Sequence, residues 1–245
     1  MMRLATISDI HGDWDKVQYP PADVLIFAGD IFGDYANVAK RIPLITASMQ
    51  LEELCRFNIF LGKLLETAFY KAIIVVAGNH DYVFEQIRDS YKLLTNAYYL
   101  ENFSVILDGV KFYGSPFTPW FFDWAFNLPC REERYSGDPE HAYEVTKLCW
   151  DNIPDDVNVL ITHGPPWGIL DQTYSGTMAG CPILERRIEE LPHLQVHIFG
   201  HIHYGYGRKT LNINGRPIQF INTAIYGEDE EGNNRPIHSL PVITI

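Results

Sequence analysis

Five short apolar runs of this chain each end in polar residues that can bind a metal ion. Short apolar runs bounded by turn residues are typical of buried strands, and ligands of α/β proteins gather where such strands end. The runs with their polar ends are LATISDIHGD at 4–13, VLIFAGD at 24–30, IIVVAGNHD at 73–81, VLITHG at 159–164 and VHIFGHIH at 196–203. The pattern therefore predicts five buried strands whose ends bring metal-binding side chains to one side of the fold.

Helical periodicity marks further segments. In 50–68 apolar residues recur at steps of three and four, and we interpret the resulting stripe as a packing surface. A second helix is expected over 82–94, directly after the third strand. A third covers 138–149 and begins at Asp138, a capping residue followed by proline. The fourth helix is expected over 182–191.

Hairpin signals dominate the later part of the chain. An Asp-Gly pair at 108–109 and an Asn-Gly pair at 214–215 each lie between strand-like runs, which is the usual composition of a two-residue hairpin turn. The last run, 241–245, could close a sheet edge. Strands alternating with helices, followed by hairpins, predict an α/β fold with two stacked sheets and helices outside. No linker or repeat interrupts the chain, so we expect one domain over 1–245.

Two loop segments have unusual compositions. In the segment 115–129 five large aromatic residues lie between Pro119 and Pro129, and our first interpretation is a hydrophobic plug at the edge of the core. The alternative is that one ring, such as Trp120, lines a pocket in which a base or an aromatic leaving group stacks. The segment 164–182 is rich in glycine and small polar residues, and it is either a mobile lid or a plain surface loop.

The charge of the chain limits the partners that it could bind, and its cysteine content indicates the redox state of its compartment. The 245 residues carry 19 basic and 31 acidic side chains, a net charge of −12 at pH 7, which would repel a polynucleotide. Cys55, Cys130, Cys149 and Cys181 form no C-x-x-C pair, so we expect free thiols in a reducing compartment. With no leader-like or membrane-spanning segment, a cytoplasmic protein without membrane contact is expected.

Histidines concentrate at the predicted strand ends. Five of nine follow an apolar run: His11, His80, His163, His201 and His203. The others are interpreted as structural or solvated: His141, His193, His197 and His238. In an extended segment residues two apart face the same side, so Asp9 and His11 are expected to point at one metal ion. A divalent ion needs further donors, which the other strand ends supply.

Taken together, the motifs D-x-H, G-D, G-N-H-D, T-H-G and G-H-x-H resemble those of the calcineurin-like metallophosphoesterase superfamily over nearly the whole chain. The segments 114–129, 160–171 and 200–207 are also similar to the metallophosphoesterase-domain-containing proteins of animals and their bacterial relatives. The resemblance implies a four-layer αββα sandwich of two mixed sheets flanked by helices, with a dinuclear metal site between the strand ends.

The resemblance also implies roles for individual residues. One metal would be held by Asp9, His11, Asp30 and His203, and Asp30 would bridge to a second metal held by Asn79, His163 and His201. His80 would stay off the metals and touch the substrate as the catalytic histidine. Asp81 would orient the His80 ring, cap the next helix, or do both.

Oxygen and nitrogen donors without a thiolate suit a pair of divalent ions. We expect Mn²⁺, with Fe, Zn²⁺, Ni²⁺ and Mg²⁺ as alternatives. Two such ions about 3.5–4 Å apart can lower the pKa of a bridging water from about 15.7 toward about 7, which makes hydroxide the nucleophile. His80 would then stabilise the transition state or protonate the leaving oxygen.

These features favour a metal-dependent phosphodiesterase that acts on a small ester such as a cyclic nucleotide. A phosphomonoesterase is the alternative, and a non-catalytic scaffold is disfavoured because all presumed ligands are present. Protein phosphatases carry G-D-x-x-D-R-G and G-N-H-E, and they are disfavoured because Ile31, Phe32, Gly33 and Asp34 follow Asp30 and Asp81 replaces the glutamate of the second motif. The acidic balance disfavours repair nucleases. The oligomeric state is left open.

Overall fold

The computed structural model describes residues 1–33, 43–130, 139–228, 234–236 and 238–245, so the helix cap predicted at Asp138 lies outside the described residues. The strands are β1 (Arg3–Ile7), β2 (Val24–Ala28), β3 (Ala72–Val76), β4 (Tyr98–Tyr99), β5 (Phe103–Leu107), β6 (Val110–Ser115), β7 (Thr118–Pro119), β8 (Asn127–Leu128), β9 (Val159–Thr162), β10 (Val196–Phe199), β11 (Gly207–Ile213), β12 (Arg216–Asn222), β13 (Tyr226–Glu228), β14 (Asn234–Pro236) and β15 (Val242–Thr244). The α-helices are α1 (Pro43–Glu66), α2 (Tyr82–Gln86), α3 (Pro139–Asp151) and α4 (Pro182–Glu190).

Two mixed sheets form the centre of the fold. The first has the order β15-β1-β2-β3-β4, with β1 to β4 parallel and β15 antiparallel to β1. The second has the order β11-β12-β10-β9-β6-β5, with antiparallel strands at both edges of a parallel centre. The predicted closing strand at the end of the chain is therefore confirmed as β15.

Both predicted hairpins are confirmed at the edges of the second sheet. Strands β5 and β6 pair with Leu107 opposite Val110, and β11 and β12 pair with Ile213 opposite Arg216. The four intervening residues all have left-handed backbones, with φ of 47° and 82° in the Asp-Gly pair and 52° and 81° in the Asn-Gly pair. Two consecutive positive φ angles are what a type I′ hairpin turn requires.

Alternation of side chains along the strands creates the four layers. In β2, Val24 and Ile26 pack between the two sheets, whereas Phe27 faces α1 and contacts Phe57 with ring centroids 5.1 Å apart. The outer face of the second sheet packs on α3 and α4, where Trp150 is fully buried. Because successive residues of a strand point to opposite faces, both faces of each sheet are covered, and the predicted αββα sandwich is confirmed.

The predicted helix over 82–94 is wrong in its length. Helix α2 ends at Gln86, and a separate 3₁₀ turn covers Ser90–Leu93. Between them Ile87 is extended and Asp89 has a φ of 62°, while the Ser90 hydroxyl donates to the carbonyl of Val83 at 2.8 Å. A left-handed residue cannot continue an α-helix, so the periodic pattern is divided into two short pieces. Among the described helices none combines the length and apolar character needed to cross a bilayer.

Candidate metal centre

Side chains that follow β1, β2, β3, β9 and β10 meet at one place. Three groups of donor atoms each lie within 4.8 Å of one another: Asp9 with His11 and His203, His11 with Asp30 and His80, and Asp30 with His163 and His201. The first group contains three of the four residues of one predicted ligand set, without Asp30, and the third contains three of the four of the other, without Asn79. Asp30 belongs to two of the three groups. Five separate strand ends therefore supply one compact cluster of oxygen and nitrogen donors.

Asp9 is a buried carboxylate held by its neighbours. Its Oδ2 accepts hydrogen bonds from the Ser8 hydroxyl at 2.5 Å and from the His201 amide at 2.9 Å, and its Oδ1 lies 3.3 Å from Nε2 of His203. Burial raises the pKa of Asp9, but the hydrogen bond and positive charge of His203 outweigh burial and lower the pKa to about 2. The side chain is thus an anion directed at the centre of the cluster.

Asp30 lies between the two donor groups. Its Oδ2 is 3.3 Å from Nε2 of His163 and 4.0 Å from Nε2 of His80, while its Oδ1 accepts the backbone N–H of His80 at 2.8 Å. Burial raises the pKa of Asp30, but positive charge on His163 and His80 holds the pKa well below its usual range. Asp30 thus shares donor groups with His11 on one side and with His163 and His201 on the other, and its bridging role stays a prediction.

The imidazoles of the cluster include neutral rings suited to coordination. Burial lowers the pKa of His11 to about 4 and that of His201 to about 3. His11 Nε2 and His203 Nε2 lie 3.4 Å apart. The neutral ring is the form that coordinates metals, so the nitrogens of His11 and His201 can present lone pairs to the centre.

Asn79 and His163 provide a further test of whether a cation fits. Nδ1 of His163 lies 2.9 Å from the carbonyl of Ala28, and its Nε2 lies 2.9 Å from Oδ1 of Asn79. Burial lowers the pKa of His163, but the Asp30 carboxylate outweighs it and raises the pKa to about 9. Among the described residues no partner satisfies the buried Nδ2 of Asn79. The Asp30 carboxylate thus favours positive charge beside it, which fits a bound cation, and Asn79 would bind such a cation through Oδ1 because Nδ2 is a donor.

The ligand-bearing turns have an uncommon backbone conformation. Four predicted ligands have positive φ: Asp9 at 54°, His11 at 45°, Asp30 at 52° and His201 at 67°. The expectation that Asp9 and His11 converge because they lie on an extended segment is therefore wrong, although the two side chains do meet. Left-handed non-glycine residues cost of order 1–3 kcal/mol each and are concentrated at functional sites.

Glycines permit the close approach of these turns. A Cβ on Gly200 would overlap Ser8 Oγ and Asp9 Oδ2, and a Cβ on Gly78 would overlap the backbone and carboxylate of Asp30. Our reading of the sequence did not assign these glycines a role. A glycine directly precedes the ligand in three of the five motifs, which is the signal that could have identified them.

Asp81 has a different environment from the one predicted. Its Oδ1 accepts the N–H groups of Ile31 and Phe32 at 2.9 and 3.0 Å, and its Oδ2 accepts the N–H of Gly78 at 2.8 Å. The predicted cap is absent, because the side chain makes no capping bond to α2. Burial, together with the charge of Asp30, raises the pKa of Asp81 to about 8. Asp81 thus connects the loops after β2 and β3, and its role in orienting the His80 ring stays a prediction.

The donor cluster opens into a cavity of about 820 Å³. Its lining includes Trp120, Phe121 and Trp124 from the aromatic segment, and the ring of Trp124 lies 4.7 Å from that of His80. Ala125 is fully buried, whereas Trp120 is 39% exposed. The expectation that Trp120 lines a pocket is therefore confirmed, whereas Trp124 both lines the cavity and packs against the core, as the plug interpretation has it. Stacking of a base or an aromatic leaving group on these rings stays a prediction.

The loop between β9 and α4 provides another part of the lining. Residues 173–175, 177 and 179 face the cavity, and Tyr174 contacts Tyr204 with ring centroids 6.0 Å apart. The base of the loop is fastened by Asp171, whose Oδ2 accepts the N–H groups of Gly168 and Gly180 at 3.0 and 2.9 Å. It is therefore a loop with internal hydrogen bonds whose tip forms part of the cavity, rather than a plain surface loop.

Comparisons with known proteins agree with this geometry. The chain is 34% identical over 230 residues to human Metallophosphoesterase domain-containing protein 1. The alignment covers 84% of this chain and 61% of the relative. A UPF0046 protein of Caenorhabditis elegans is 33% identical over 253 residues, which covers 96% of this chain and 74% of that protein. One solved crystal structure has a TM-score of 0.61 at 18% identity, covering 91% of this chain and 90% of the other.

The chain spans about three fifths of the length of its human relative. The family model described as Calcineurin-like phosphoesterase matches residues 2–205. The matched range contains every residue of the predicted site, and members of this family typically use a dinuclear metal site. Because the match covers most of the sequence, the chain belongs to the calcineurin-like phosphoesterase family.

Proposed function

We propose that this chain hydrolyses small phosphodiesters, with cyclic nucleotides as the first candidates, by means of two divalent cations. The observation that supports the proposal is the position of the donor cluster inside a cavity with aromatic lining. Its volume lies in the range of roughly 300–1,000 Å³ that is usual for small-molecule sites. The net charge of −12 argues against a polynucleotide substrate.

The residues of the cluster divide into two ligand sets. One cation is assigned to Asp9, His11, Asp30 and His203, and the other to Asp30, Asn79, His163 and His201. Bound divalent cations supply charge stabilisation at the phosphoryl oxygens and lower the pKa of an attacking water. Imidazole and carboxylate donors favour Mn²⁺, with Fe, Zn²⁺, Ni²⁺ and Mg²⁺ as alternatives.

His80 is the proton donor of the proposed reaction. Its side chain is 14% exposed and lines the cavity, and its Nε2 lies farther from Asp30 Oδ2 than that of His163 does, 4.0 against 3.3 Å. A ring in this position can give a proton to the leaving oxygen without binding a cation. The adjacent Trp124 covers part of the ring and shields it from water.

The lining favours diesters over monoesters. Among the described residues that line the cavity there is no lysine or arginine, so only the cations and His80 would offset the charge of the substrate. A monoester carries up to two negative charges at neutral pH and a diester one, and two divalent cations could offset either, so the preference for diesters rests on the aromatic lining. The aromatic residues instead provide apolar area for the groups attached to phosphorus.

A substrate panel tests the proposal. The protein is assayed with 2′,3′- and 3′,5′-cyclic nucleotides, linear diesters and monoesters, with Mn²⁺ and with a chelator. We expect diesters to be turned over faster than monoesters and chelation to abolish both activities. Faster turnover of monoesters than of every diester would identify a phosphomonoesterase, and a protein that binds no cations would be a scaffold.

Replacement of Trp120 by alanine should weaken binding of substrates that carry a base. Stacking of a base on an aromatic ring contributes about 1–3 kcal/mol, so we expect KM for a cyclic nucleotide to rise about 10-fold with little change in kcat. For a dialkyl phosphate KM should change by less than about 2-fold, since nothing stacks. The matched control is Phe122→Ala, because Phe122 is 64% exposed and is not among the lining residues. An equal rise in KM for both substrates would contradict the stacking role.

A further inference from the structure

Gln50 connects the long helix α1 to the loop that carries His80. Its side chain is fully buried. Nε2 donates to the backbone carbonyl of His80 at 2.6 Å, and Oε1 accepts the N–H of Val83 at 3.0 Å. The stripe of α1 that we interpreted as a packing surface therefore also contains a polar group in contact with the candidate site.

The bond to Val83 replaces a missing local cap. Helix α2 begins at Tyr82, and the first N–H groups of a helix have no partner within the helix itself. Asp81, at the capping position, makes no side-chain bond to α2 because its carboxylate bonds to other backbone amides. Gln50 supplies the acceptor from a distant part of the sequence.

The backbone of His80 is consequently held on both sides. Its N–H donates to Oδ1 of Asp30 at 2.8 Å, and its carbonyl accepts from Gln50. With the backbone held in this way, the ring lies with centroid distances of 5.1 Å from His11 and 4.7 Å from Trp124. We propose that Gln50 is a positioning residue that directs the His80 ring toward the leaving oxygen, an inference that rests on the proposed function.

Both halves of the Gln50 amide are needed for this role. Glutamine offers a donor and an acceptor at the same end, an ionised glutamate offers acceptors only, and methionine of similar size offers neither in useful strength. Gln50→Met therefore removes both bonds. The two variants are compared at a pH at which the buried carboxyl of Gln50→Glu is ionised, because a protonated carboxyl could still donate to His80. Ionised Gln50→Glu keeps the acceptor for Val83 and removes the donor for His80, so a rate loss in both variants identifies the bond to His80 as the important one.

The test compares leaving groups. For a diester with a poor alkoxide leaving group we expect kcat of Gln50→Met and Gln50→Glu to fall about 10- to 100-fold, with KM and bound metal unchanged, because misplacement by about 1 Å can cost about 10²-fold. With p-nitrophenolate, which leaves without a proton, the fall should be below about 3-fold. The matched control is Leu54→Ala, one turn farther along α1 and fully buried, which destabilises the fold but should show no dependence on the leaving group.

A double substitution and a crystal structure complete the test. In a His80→Ala background, Gln50→Met should cause no further loss, whereas an equal loss in both backgrounds would overturn the positioning role. Should the wild type with Mn²⁺ hydrolyse none of the panel, the proposed function fails. In that case crystal structures of the metal-loaded wild type and Gln50→Met still test the positioning role of Gln50. A His80 ring displaced by about 1 Å in the variant supports the role, and an unmoved ring overturns it.

Discussion

An Asp30→Asn variant should bind fewer than two divalent cations per chain and hydrolyse phosphodiesters at least about 10³-fold more slowly than the wild type, a loss of about 4 kcal/mol or more. Asp30 shares one donor group with His11 and another with His163 and His201, so one change should remove negative charge beside both proposed ligand sets. The amide has nearly the same shape, but one of its two terminal atoms becomes a donor beside His80 N–H or His163 Nε2. Metal analysis after desalting and kcat/KM at saturating Mn²⁺ measure the two effects.

The control for this variant lies at the other end of the same strand. Asp23 precedes β2, and its Oδ2 accepts a hydrogen bond from the backbone N–H of Arg3 at 2.8 Å. Its Oδ1 forms an ion pair with Nζ of Lys71 at 3.1 Å. Asp23→Asn changes the same chemical group far from the cluster, so metal content and kcat/KM should remain those of the wild type. If Asp30→Asn kept two cations and wild-type turnover, the assignment of Asp30 as the shared ligand would be wrong.

The positions of the ligands were predictable from the sequence because each follows a strand that is buried on both faces. Strands β2, β3, β9 and β10 contain only buried residues, and such strands are recognisable as uninterrupted apolar runs. A polar residue directly after such a run lies at the carboxyl end of its strand, whatever conformation the following loop adopts. The sequence therefore indicated which side chains meet without indicating how their backbones turn.

The local geometry of the turns was not predictable, because distant backbone bonds determine it. The N–H groups of Asp9 and His11 donate to the carbonyls of Gly29 and Asp30, both at 3.0 Å, in the turn that follows the neighbouring strand β2. These bonds stabilise the positive φ angles of Asp9 and His11. The sequence pattern around the two residues had instead predicted an extended segment. The residues next to Asp9 and His11 in the sequence do not show which distant carbonyls their N–H groups will bond.

The aromatic segment and helix α1 show the same limit. Periodicity shows that α1 has a packing stripe, but a single buried polar residue such as Gln50 becomes meaningful only when the loop it contacts is known. In the same way composition cannot separate Ala125 and Phe126, which are buried, from Phe122, which is exposed. Both cases depend on contacts between parts of the chain that are far apart in sequence.

His80→Ala should lower the rate about 10²- to 10⁴-fold while both cations remain bound. His80 Nε2 lies 4.0 Å from Asp30 Oδ2, yet His80 also belongs to a possible ligand group with His11 and Asp30. Metal content therefore decides between two roles for the same ring. Two cations per chain in the variant show that His80 is not a ligand, and the loss of one cation identifies a ligand.

The leaving group separates proton donation from general charge stabilisation by His80. If the ring donates a proton, the loss in His80→Ala is largest for alkoxides and small for p-nitrophenolate, because a weakly basic leaving oxygen needs no proton. If the ring only offsets charge on the phosphoryl group, both substrates lose rate equally. His193→Ala is the control, because His193 is exposed and is not among the residues that line the cavity. A wild-type rate in His80→Ala for both leaving groups would exclude either role.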